Sequence, residues 1–90
     1  SLGSPSNPHI RLVVGIDPDL VAQADKLRAR ARALEKQEAE LLQALGIERF
    51  DPVRIRGLLM QTADPETRTR HLQRVKKLTQ VAEAQKVLVF

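Results

Sequence analysis

Between Leu20 and Leu45 the apolar residues recur at Leu20, Ala24, Leu27, Ala31, Leu34, Leu41 and Leu45, and Glu38 takes the one remaining slot, so the spacing alternates four and three throughout. A strict seven-residue repeat keeps a narrow apolar stripe along one side of a helix, and such a stripe is stable only when another helix covers it. The chain is therefore built around helix pairing. Leu27 and Leu34 hold consecutive heptad positions on the cleanest part of the stripe and are expected in the interface between two long helices. Glu38, a carboxylate in the seam, is expected to find a cation on the opposite helix and so to fix the register.

The punctuation of the chain is clear. Asp-Pro occurs three times, at Asp17-Pro18, Asp51-Pro52 and Asp64-Pro65, each time ahead of helix-favouring residues. In such a pair the carboxylate accepts from the free N–H groups of the first turn, and proline at the next position has no N–H to leave unsatisfied. Asp19 and Glu66 add negative charge at the positive ends of their helices. The spacing predicts a first helix over about 18–45 that stops at Gly46, whose backbone suits a left-handed cap. A short second helix over about 52–61 carries Val53, Ile55, Leu58 and Leu59 and closes the tip of a hairpin. A third, over about 65–86, sets His71, Val75, Leu78, Ala82 and Gln85 on a weaker returning seam, with Leu72 and Val81 widening it. Pro65 either begins this helix or kinks one long returning helix.

Both ends differ from the helical body: Ile10 to Ile16 is rich in Val and Ile, and Val87 to Phe90 is four apolar residues in a row. These read as β-strands, which a hairpin of two long helices brings together at its base. The expected fold is mainly α: an antiparallel coiled-coil hairpin over 17–86, with a leader and strand over 1–16 and a returning strand over 87–90. Two strands alone are marginal in water, so the remainder of a sheet is expected outside this chain, which reads as a piece of a larger protein. Open strand edges, with Leu42, Leu59 and Val81 uncovered in so small a body, are expected to bring two copies together as a dimer.

The stretch Ile10-Arg11-Leu12-Val13-Val14-Gly15-Ile16-Asp17-Pro18-Asp19-Leu20, followed by a heptad helix rich in Leu, Ala, Lys and Glu, resembles the C-terminal part of the flagellar assembly protein A family. In that family V-G-x-D-P-x-L marks the exit from a right-handed β-helix into a long helical hairpin. Val14 to Leu20 fits that motif, and Val87-Leu88-Val89-Phe90 fits the strand that re-enters the β-helix. Ile47 to Ala63 departs from the simple tip of the family, being proline-broken and apolar. The resemblance implies a role in bacterial flagellar assembly and carries no catalytic residue and no cofactor.

Composition bounds the chemistry. In 90 residues there is no Cys, Trp or Tyr, so aliphatic side chains do the packing and thiolate metal sites and disulfides are excluded, which fits a reducing compartment such as the cytoplasm. The apolar runs fall far short of the roughly 18 residues that a membrane span needs, and Ser1 to Pro8 has neither the basic start nor the apolar stretch of a signal peptide. His9 and His71 lie in different elements without metal-ligand spacing. Glu35, Glu38 and Glu40 point in different directions on a helix, and no G-x-S-x-G turn presents Ser4 or Ser6. No enzyme activity, metal or cofactor is expected.

The net charge of +4 is unevenly placed. Arg68, Arg70, Arg74, Lys76 and Lys77 concentrate on the third helix and form a candidate basic interaction face. The simpler reading of that face is a solvated helix beside an acidic neighbour, and the lack of interleaved aromatic residues disfavours single-strand stacking. Two readings follow. The first is a non-catalytic coiled-coil interaction or scaffold module of a larger β-helical bacterial protein, which accounts for seam, caps, ends and resemblance together. The second is a small nucleic-acid-binding module that uses the basic third helix.

Overall fold

The computed structural model describes residues 15–88. They form three helices, α1 (Pro18–Leu45), α2 (Pro52–Gln61) and α3 (Pro65–Val87). Each begins at an Asp-Pro pair. Asp17 accepts from the Asp19 N–H at 2.9 Å, Asp51 from the Val53 N–H at 3.0 Å and Asp64 from the Thr67 N–H at 2.9 Å, with proline following each cap in the first turn. Residues 62–64 are not helical, so Pro65 starts a separate helix and does not kink a continuous one. α1 ends at Gly46, whose φ of 73° is the left-handed value that costs glycine nothing. The Gly46 N–H donates to the Gln43 carbonyl and the Ile47 N–H to the Leu42 carbonyl, each at 3.1 Å, which satisfies two carbonyls at the helix end.

α3 packs against both other helices, whereas α1 and α2 do not approach each other. α1 and α3 run antiparallel: Leu41 shares a cleft with Arg70 and Arg74, Leu34 with Lys77 and Val81, and Ala31 with Gln85 and Leu88. Residue numbers across the pair thus sum to about 115. Among the described residues the buried core is aliphatic, consisting of Leu34, Leu45, Ile55, Leu78 and Val81, and Leu78 has no exposure at all.

Three seam expectations need correction. Leu27 is 37% and Leu20 60% exposed, because the register brings Leu88, the cap of α3, opposite Leu27 and leaves the first turns of α1 running past the end of its partner. Val81, expected as an uncovered flank, is 3% exposed, while Leu42, Leu59 and Ala82 are half-buried. α3 therefore offers the expected row of His71, Val75, Leu78, Ala82 and Gln85, all buried or half-buried, deepened on one side by Val81 and continued to Leu88. Ala24, Ala31, Leu41 and Val75 are half-buried. Glu38, also half-buried, meets no cation: the three ion pairs among the described residues, Asp25–Arg28, Asp51–Arg54 and Glu83–Lys86, all join neighbours on one element. The register puts Leu78 opposite Glu38 and turns Lys77 to the flank.

The ends also differ from expectation. Gly15 and Ile16 form a turn and a bend, and the remainder of the expected strand, 10–14, lies outside the described residues. Val87 is the last residue of α3, and the Leu88 N–H donates to the Gln85 carbonyl at 3.3 Å; residues 89–90 lie outside the described span. No strand occurs among the described residues. Ala82, Glu83, Ala84, Gln85 and Lys86 are strong helix formers without a breaker, so the helix carries through Val87.

Leu34→Ala and Leu78→Ala should each destabilise the fold by about 2–5 kcal/mol, whereas Leu27→Ala should cost no more than about 1 kcal/mol. Denaturant unfolding of the three variants checks this ordering. Equal losses at Leu27 and Leu34 would mean that a helix covers α1 over its whole length.

Candidate functional site

The tip of the hairpin carries an apolar groove. Pro52, Ile55, Arg56, Leu59 and Met60 line it from α2, at the spacing that puts residues on one helical face. Phe50 joins them from the preceding loop, and Arg68 and Val75 close it from α3. It is a shallow, open depression of about 560 Å³. Ile55 is buried, Leu58, Leu59 and Val75 are half-buried, and Met60 and Val53 are each 77% exposed. From the sequence this segment is expected only to close the hairpin. Pro52, Ile55 and Leu59 at positions i, i+3 and i+7 mark an apolar face in the sequence, and the structure leaves that face without a residue of α1 to cover it.

The wall between α2 and α3 is fixed by side chains at the link. The Thr62 hydroxyl donates to the Leu58 carbonyl at 2.7 Å. Arg68 reaches back from the first turn of α3 and donates to the Thr62 carbonyl through Nε at 3.1 Å and Nη2 at 2.7 Å. On the other side of the link Asp64 accepts from the Thr67 hydroxyl at 2.7 Å as well as from its N–H. The Thr67 hydroxyl first, then its N–H and the charge of Arg70, hold the Asp64 carboxyl below its ordinary value of 3.8.

The candidate basic face is not one surface. Arg70, Arg74 and Lys77 line a single cleft with Leu41 and Gln73. Lys76 is exposed and lies about 120° round the helix from Arg70 at 3.6 residues per turn. Arg68 belongs to the link and the tip groove. His71 is half-buried, and by register it falls opposite the C-terminal turn of α1; its Nδ1 is buried without a hydrogen-bond partner. Among the described residues no three His, Cys, Asp or Glu side chains gather to hold a metal ion, and no helix is long and apolar enough to cross a membrane.

No protein-family model, curated protein or solved structure matches this chain.

Because the folded state holds the Asp64 carboxyl below 3.8, its contribution to stability is fully present above that value and is lost as pH falls through the lower folded one. Asp64→Asn keeps a good capping residue but removes this titration. Thermal melts from pH about 5 down to about 2 should show the advantage of wild type over the variant shrinking with falling pH. A constant difference would mean that the Thr67 contacts do not favour the ionised form.

Proposed function

We propose that this chain is a non-catalytic coiled-coil interaction module, a helical arm belonging to a larger β-helical bacterial scaffold protein of the kind that the flagellar assembly protein A resemblance implies. The observation that carries this reading is the apolar groove at the far end of a paired-helix arm: the α1–α3 pair supplies reach, and the tip supplies adhesive surface. The lack of Cys fits work in the reducing cytoplasm. At the opposite end the exposed residues Leu20 and Leu27 belong to the seven-residue repeat that α3 covers further on, and exposed Val21 lies beside them. The surface they fit is another helix in heptad register. Laid antiparallel on a second copy about residues 23 and 24, this stripe pairs Leu20 with Leu27 and Asp19 with Arg28, so the isolated chain dimerises there.

The cleft of Arg70, Arg74 and Lys77 favours one second reading, contact with the backbone of duplex nucleic acid. The two readings separate by titration. Under the preferred one, fluorescence anisotropy at about 0.15 M salt finds binding to random duplex DNA no tighter than roughly 10⁻⁴ M. Micromolar binding that falls steeply with salt, and is abolished when all three residues become Glu, makes the chain a nucleic-acid module instead.

Sedimentation equilibrium tests the stripe. The chain should form a dimer at concentrations on the order of 100 μM, and Leu20→Glu should return it to monomer. A wild-type monomer throughout that range removes the second copy from the reading.

A further inference from the structure

We propose that the tip groove takes one class of partner, an amphipathic helix of about two turns with aliphatic or aromatic anchors on one face and acidic residues beside them. This rests on the interaction-module reading and names the occupant of its site.

The length of the groove fits such a ligand. Pro52 and Met60 are eight residues apart on α2, and Arg68 and Val75 seven apart on α3, so at 1.5 Å per residue both walls run for about 10–12 Å. An amphipathic helix spaces its anchors from i to i+7 over the same distance. The floor of Ile55, Leu59 and Val75 offers apolar contact along that whole length, and the exposed, flexible Met60 can adapt to the anchor it meets.

Charge decides among the occupants. Arg56 stands on one wall and Arg68 on the other, and neither is in ion-pair reach of a carboxylate among the described residues. The guanidinium of Arg68 is already oriented by its two bonds to the Thr62 carbonyl, which lowers the ordering cost of pairing it with an incoming carboxylate. Carboxylates flanking the anchors would meet both arginines. Two copies meeting groove to groove would instead gather the arginines of both grooves with no lining carboxylate between them, which is unfavourable. A nucleic acid would have nothing to place on the aliphatic floor.

The test is a displayed library of amphipathic helical peptides, with fixed apolar anchors and randomised flanks, selected on the full chain. The most enriched peptide is then synthesised with a fluorescent label and titrated by anisotropy. The flanks should become enriched in Asp and Glu. Arg56→Glu and Met60→Glu, both at exposed positions and checked by circular dichroism for intact helix, should each weaken binding at least about tenfold. A peptide with Lys in its flanks should bind Arg56→Glu better than wild type. No enrichment, neutral or basic flanks, or binding indifferent to Met60→Glu overturns the proposal, and so does a dimer that Met60→Glu dissolves, which would assign the groove to a second copy. If the peptides fail while duplex DNA also fails to bind, the groove proposal falls alone; micromolar DNA binding overturns the module reading whatever the peptides do.

Discussion

The structure depends on the seating of Leu78 of α3 against α1. It has no solvent exposure, and Leu34 and Val81 are buried beside it, so the middle of the hairpin is locked by three aliphatic side chains. Each is worth roughly 1.5–3 kcal/mol when fully buried. With two Phe as the only aromatic residues, no large side chain is available to widen that contact. The interface is a line more than a slab, and its register fixes everything at either end: which turns of α1 outlast α3, which cations share a cleft and where the tip begins.

Helix ends were readable because their causes are local. A carboxylate accepting from the N–H two or three residues ahead, a proline that has none to donate, and a glycine at φ 73° need no information from elsewhere in the chain. The register of α3 was not readable in this way. His71, Val75, Leu78, Ala82 and Gln85 repeat as cleanly as Leu78, Val81, Gln85 and Leu88 do; the two rows share Leu78 and Gln85, and how deeply each side of them is covered is decided by the partner helix. The ends illustrate the same limit, since Val87 and Leu88 have strand-like composition but follow a helix that nothing stops.

For the site, sequence grouped five of the six cations of the third helix into one face, and position round that helix then divided them. Arg70, Arg74 and Lys77 recur at i, i+4 and i+7 and meet in one cleft, a spacing visible in advance. Arg68 had a destination no charge count could show, because its partner is a backbone carbonyl six residues back. The tip groove was hidden for a related reason: an apolar helical face reads as core until the element that might cover it is known to be elsewhere.

α2 leans on α3 alone and never approaches α1. The segment 46–64 is thus, for the α1–α3 pair, a long connecting loop, and the entropy of closing a loop rises only slowly with its length. The alignment of α1 and α3 is for that reason set apart from the length and lining of the segment that joins them, so a change at the tip leaves the pairing of the two long helices as it is.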